Sequence, residues 1–229
     1  MAGLGERILD LVYPRRCELC MEPAGPIARQ ICSKCLAKIP FAEIDTCSPD
    51  KFDRHVAFDA GAAALVFEGV ARRMIIDFKF NAHLWLCEDF ATWMRIAAAN
   101  RFDTDYVDAV VPMPSSLFHR ADRGYNQSAL LARSVAKKIG RRFLDGVVHR
   151  KNRVRRQSGL GNEERWENAR DSFIVAGKEL VEGRTILLVD DIVTTGATLS
   201  ECAKALKEAG AWRVWGLVLA RRLPGSIAE

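Results

Sequence analysis

Residues 186–199, ILLVDDIVTTGATL, set two adjacent carboxylates, Asp190 and Asp191, between an apolar run and a loop rich in threonine. Thr194, Thr195 and Thr198 offer hydroxyls, Gly196 permits a tight backbone, and Ala197 completes the loop. Such a loop, feeding a helix, presents amide and hydroxyl donors to an anion at the positive end of the helix dipole. Residues 194–198 therefore read as a phosphate cradle. Two carboxylates beside it would repel that anion, so Asp190 and Asp191 need other partners. The vicinal hydroxyls of a ribose fit: two acceptors ahead of the cradle hold the 2′ and 3′ hydroxyls while the 5′-phosphate fills the loop. A ribose 5-phosphate is implied, with Asp190 and Asp191 as the candidate catalytic residues. The plainer alternative is an aspartate pair that merely turns the chain, but every part agrees in order and spacing. The sequence has no Gly-x-Gly-x-x-Gly after a strand and no Walker lysine, so dinucleotide and P-loop readings are poor.

A second constellation lies near the front. Cys17-x2-Cys20 and Cys32-x2-Cys35 are paired knuckles, each able to present two thiolates on one side of a turn. Together they close a tetrahedral site of the kind Zn2+ prefers, and the ion would supply stability that so short a segment cannot draw from a core. Redox Cys-x-x-Cys pairs or unliganded thiols are the alternatives. Cys87 and Cys202 sit in apolar helical patterns and read as buried thiols. Cys47 has no second knuckle, and no nucleophilic cysteine is assigned.

The elements that must position these residues follow from periodicity. A strand is expected over 58–67 and helices over 70–80 and 85–99, where Trp85 and Trp93 read as core and Lys79 has more chemical than packing interest. A strand over 107–112 ends at a Pro-x-Pro turn, and a helix over 127–139, with Leu131, Val135 and Ile139 at helical spacing, stops at Gly140. Further strands are expected over 143–148, 172–175, 185–189 and 214–219. Residues 186–189 are apolar on both faces of the pleat, as a central parallel strand requires, so the aspartates fall at the sheet's carboxyl edge. Thr198 and Glu201 match a capping box for a helix with buried Leu199, Cys202, Ala203 and Leu206, ended by Gly210. Alternation of strands and helices implies an α/β domain with a mainly parallel sheet covered on both faces.

The polar stretch over 149–171 begins with the basic run HRKNRVRRQ. An insertion of this length in an α/β domain is disordered or an active-site lid. Its arginines would meet phosphate, nucleic acid or only solvent. The organisation expected is a four-cysteine module over 1–50 and an α/β domain over 56–229.

The chain has 229 residues, 49% hydrophobic and 28% charged, with a net charge of +5, which excludes disordered and fibrous classes and leaves anionic partners open. The N-terminus reads as a short amphipathic helix with Leu4, Ile8, Leu11 and Val12 on one side, not as a signal peptide, and no apolar run is long enough to span a bilayer. The seven cysteines argue against a disulfide framework. A cytoplasmic protein without a membrane span is expected.

LLVDDIVTTGAT resembles the phosphoribosyl-diphosphate (PRPP) binding motif of type I phosphoribosyltransferases. The chain as a whole resembles the ComF/GntX family, competence-associated proteins that join a four-cysteine zinc module to such a domain. The carrying stretches are CELC and CSKC, VPMPSSLFHRADRGYNQS over 111–128 and RQSGLGNEERWENARDSF over 156–173. The resemblance implies a type I phosphoribosyltransferase-like sheet, PRPP with Mg2+ as ligand, and Zn2+ in a structural role on Cys17, Cys20, Cys32 and Cys35. Asp190 and Asp191 would take the ribose hydroxyls, Thr194, Thr195, Gly196, Ala197 and Thr198 the 5′-phosphate, and Pro114 and Ser115 would lie at the pyrophosphate loop. Arg155, Arg156 and Gln157 would belong to the lid, where Val154 replaces the family's threonine. Arg120 and Arg123 would meet phosphate or form a solvated face. The acceptor of the phosphoribosyl group is unknown, chosen by a hood over 58–93. A second implication, from the competence proteins, is a non-enzymatic or PRPP-sensing role with single-stranded DNA or a competence-machinery protein as partner.

Overall fold

The computed structural model of the chain describes residues 16–24, 30–115, 125–151 and 162–225. The expected N-terminal helix, Arg120, Arg123, Val154 and the lid residues Arg155, Arg156 and Gln157 lie outside the described residues.

After a short helix α1 (Ser33–Leu36) come β1 (Ala60–Val66), α2 (Gly69–Phe80), α3 (Cys87–Arg101), β2 (Ala109–Pro112) and α4 (Gln127–Ile139). Then follow β3 (Arg142–Phe143), β4 (Val148–Arg150), α5 (Asn162–Ala169), β5 (Phe173–Val175), β6 (Thr185–Val193), α6 (Ala197–Glu208) and β7 (Arg213–Arg221). Five strands form one parallel sheet in the order β1-β7-β6-β2-β3. Successive side chains of a strand point to opposite faces. Accordingly Leu187, Val189, Leu217 and Leu219 pack into one core with α2, α3, α4 and the cysteine module. Ile186, Leu188, Val214 and Val218 pack into the other, with Leu199, Cys202, Ala203 and Leu206 of α6. Burying both faces is what makes β6 and β7 almost continuously apolar.

Several expectations are corrected. Residues 143–148 do not make one strand. Gly146 (φ 71°) turns the chain, with Asp145 Oδ1 accepting from its amide at 2.9 Å, so β3 pairs with β2 while β4 leaves the sheet. The expected strand over 172–175 is β5, which pairs antiparallel with β4 outside the main sheet. β6 continues to Val193, because hydrogen bonding to β7, with Asp190 opposite Val218 and Ile192 opposite Ala220, outweighs the poor strand propensity of aspartate. The Thr198–Glu201 capping box does not form: Gly196 occupies the cap position, and Glu201 Oε2 accepts from the Asp171 amide at 3.1 Å. Trp93 is buried, but Trp85 is 46% exposed on a surface turn, stacked on His83 with ring centroids 4.6 Å apart. Cys87 begins α3 and is half-buried; Cys202 and Cys47 are fully buried. A helix, α5, rises within the stretch read only as polar insertion.

The chain leaving the cysteine module runs along the outer side of β1. The Ala42 amide donates to Ala64 O at 3.0 Å and the Val66 amide to Pro40 O at 2.8 Å. Further on, Cys47 lies so near β1 that a Cβ on Gly61 would stand 2.1 Å from the Cys47 carbonyl oxygen. Only glycine allows that crossing. Among the described residues no helix is long and apolar enough to cross a membrane.

Candidate functional site

At the carboxyl edge of the sheet, β6 delivers its two aspartates side by side. Asp190 Oδ1 accepts from Ser128 Oγ at 2.9 Å and from the Asp191 amide at 2.8 Å. Asp191 Oδ2 pairs with Lys79 Nζ at 2.7 Å, and its Oδ1 accepts from the Ile192 amide at 2.6 Å. Lys79 arrives from the last turn of α2, which is tied to α4 through Gln127 Nε2 donating to Lys79 O at 3.3 Å and Tyr125 OH to Phe78 O at 3.1 Å. Burial, and then the neighbouring Asp191 charge, push the Asp190 carboxyl up to about 7; the Asp191 amide and Ser128 oppose the shift without cancelling it.

Beyond β6 the loop of Thr194, Thr195 and Gly196 turns into α6. Gly196 has φ 78°, a left-handed conformation that glycine adopts without penalty. The first amides of the helix have no acceptor within it; that of Ala197 donates to Thr195 Oγ1 at 3.5 Å. Arg165 Nη1, from α5, donates to Thr194 Oγ1 at 2.9 Å.

Asp190, Asp191, Thr194, Thr195, Gly196, Ala197 and Thr198 line one cavity of about 350 Å3, and Pro114 and Ser115 at the end of β2 line it too. Lys79, Ser128, Arg150 and Arg165 complete its walls. Within this lining Ser115 Oγ and Arg150 Nε and Nη2 are buried and find no hydrogen-bond partner among the described residues. Burial pushes the Arg150 guanidinium down from its ordinary range, and Asp190 counters that shift. Unpaired buried donors are rare in folded proteins and mark places where a ligand or water completes the structure. The arrangement thus offers donors of both kinds, amide and cationic, around a carboxylate pair, and it suits an anion that also carries hydroxyls.

Ser128, Arg150 and Arg165 were not singled out from the sequence. Arg150 belongs to the basic run, Ser128 closes the stretch over 111–128 and Arg165 lies in that over 156–173, so a weak signal existed for each. Their partners lie far along the chain, 62 residues apart for Ser128 and Asp190 and 29 for Arg165 and Thr194, and only folding joins them.

In the cysteine module the sulfurs of Cys17, Cys20, Cys32 and Cys35 lie within 4.8 Å of one another, with Cys20 and Cys32 at 3.6 Å. Four thiolates around one zinc ion stand about 3.8 Å apart, given a Zn–S bond of about 2.3 Å. Burial works to raise the Cys17 thiol, but the backbone amides of Cys32, Leu19 and Cys20 outweigh it and bring it down to about 7. Burial and the neighbouring thiols push Cys35 up to about 12. The donor set and its spacing fit a closed tetrahedral site.

Two family models match the chain: a phosphoribosyl transferase domain over residues 126–225 and a double zinc ribbon domain over residues 8–49. The parallel sheet and its flanking helices are accordingly of the type I phosphoribosyltransferase kind, behind a cysteine module whose geometry supports structural zinc. Competence protein F of Haemophilus influenzae is 32% identical over 153 residues, covering 64% of this chain and 67% of that protein. DNA utilization protein YhgH of Escherichia coli is 33% identical over 117 residues, 51% of this chain and 50% of its own length. Competence protein ComFC of Streptococcus pneumoniae is 31% identical over 134 residues, 58% of this chain and 56% of that one. The chain belongs to the ComF family. It spans about half the length of the latter two relatives.

Proposed function

We propose that this protein binds PRPP with Mg2+ and transfers the phosphoribosyl group to a nitrogen acceptor, releasing pyrophosphate. One observation carries the reading: two carboxylates, a threonine loop at a helix N-terminus and buried donors that have no partner among the described residues share a single cavity. The 5′-phosphate takes the loop of Thr194 to Thr198 and the first amides of α6. Asp190 and Asp191 accept the ribose hydroxyls, which requires Lys79 to leave Asp191 and turn towards a ligand phosphate. Pro114 and Ser115 border the pyrophosphate, with Arg150 as its cationic donor. Mg2+, when bound, would neutralise charge at the pyrophosphate, and Asp190 and Asp191 are the carboxylates of the cavity that would hold it. As the bond from C1 to pyrophosphate oxygen breaks, its electron pair leaves with pyrophosphate. The acceptor's lone pair forms the new C1–N bond, and the nitrogen proton passes to water. The domain unit we assign is 56–229, behind a module over 1–50, and we place the protein in the cytoplasm, where thiols stay reduced.

The test is a calorimetric titration of PRPP with Mg2+ into the wild type and into the Asp190→Asn, Asp191→Asn double variant. Hydrogen bonds to charged groups contribute about 1.5–3 kcal/mol each, so the double variant should bind at least about a hundredfold more weakly. No binding by the wild type overturns the proposal.

The names of the relatives, which concern competence and DNA utilization, favour a second reading: a protein that handles single-stranded DNA or a competence partner, with PRPP sensed and not consumed. DNA affinity that falls steeply with salt supports it. Pyrophosphate release that depends on an added nucleobase or amine supports the first.

A further inference from the structure

The segment that joins the cysteine module to β1 is absent from the cavity lining, yet it touches the phosphate loop at Gly196 and the neighbouring α5, α6 and β7. The ring of Phe52 lies directly behind Gly196: a Cβ there would stand 2.7 Å from Phe52 Cδ1 and 2.8 Å from Cε1. The ring is fixed from two sides. Phe58 meets it edge-on at 5.5 Å and 85°, and the Arg221 guanidinium lies over it at 4.0 Å from the centroid. Arg221, at the end of β7 and only 3% exposed, also donates to the carbonyls of Thr46 and Lys51, clasping the turn that leads into Phe52. A few residues on, Arg54 pairs with Glu163 and lies 5.8 Å from the Trp166 ring, both on α5, the helix whose Arg165 holds Thr194. The Ala57 amide then donates to Ser200 Oγ in the first turn of α6 at 2.9 Å.

We infer that Phe52 is a positioning residue for the phosphate loop, holding the Gly196 backbone in its left-handed turn so that the α6 amides converge on one anion. The residue touches no ligand. It works through Gly196. The identity of the anion rests on the proposed function; the positioning does not, and is read on the ligand-free protein.

Amide hydrogen exchange over residues 194–200, in full-length zinc-loaded protein, compares the wild type with Phe52→Leu and Phe52→Ala. Leucine keeps apolar bulk without the flat ring, so it remains informative where alanine fails to fold. Loop exchange should speed up by roughly tenfold or more in Phe52→Leu, while amides in β6 keep their protection. Phe52→Tyr should restore the wild-type pattern. With ligands, the affinity of Phe52→Leu for ribose 5-phosphate should fall by about tenfold while that for Mg2+ and pyrophosphate stays within about twofold. Unchanged loop exchange, or equal losses for the two ligands, overturns the inference by making Phe52 ordinary core. A wild type that binds neither ligand defeats the proposed function, and the exchange result still decides the role of Phe52.

Discussion

Asp190 carries a cost that its neighbourhood does not fully offset. Its carboxyl, pushed up to about 7 by burial and by Asp191, binds a proton in the folded chain that the unfolded chain has released above about pH 4. The folded state therefore loses stability as pH rises through the window between about 4 and 7. Asp190→Asn should stabilise the protein above pH 7 by about 1–3 kcal/mol, with the gain vanishing towards pH 4, as thermal melts at the two ends would read. A variant that destabilises equally at both ends would mean that the hydrogen bond from Ser128 outweighs the charge. Residues held against stability in this way are characteristic of sites kept for function. At this scale the aspartates and the threonine loop were legible because they are contiguous in sequence. Ser128, Arg150 and Arg165 were less so, since nothing local links a serine on α4 or an arginine on α5 to the end of β6.

Among the elements, β6 shows how far periodicity reaches. Its apolar half was evident, but its continuation through Asp190 to Val193 depends on pairing with β7 that no local pattern encodes. The strand expected over 143–148 failed at Asp145-Gly146, a turn dipeptide inside the run, where Gly146 sends the two halves to different sheets. Likewise the threonine and glutamate spacing at α6 matched a capping box, whereas the left-handed Gly196 begins the helix elsewhere. Gly61 in β1 offers a test of close packing at this level. Gly61→Ala sets a methyl group 2.1 Å from a backbone oxygen that no rotamer change can move. Overpacking of this kind should cost about 1–3 kcal/mol or more, seen as a lower denaturation midpoint with an unchanged slope.

The molecule as a whole joins its two parts through one apolar core, in which Cys17, Ile31, Cys32, Cys35 and Ile39 pack with Phe90 and Trp93 of α3. The doubled cysteine spacing announced the module, but not that it shares the core of the sheet, because packing partners so distant in sequence leave no periodic trace. Zinc removal should accordingly lower the melting temperature of the entire protein and not of a detached finger. Binding must also displace protons from thiols such as Cys35, pushed up to about 12, so zinc affinity should rise at least about tenfold between about pH 6 and 8 in a competition titration. A single melting transition that ignores a chelator would contradict this. Residues 40–42, which descend from the module, also lie along the outer side of β1, an edge strand of the sheet. An uncovered strand edge is a template for pairing with another chain. Loss of the metal would loosen that cover, so the apo-protein should self-associate through β1 and precipitate at concentrations where the zinc-loaded protein stays dispersed.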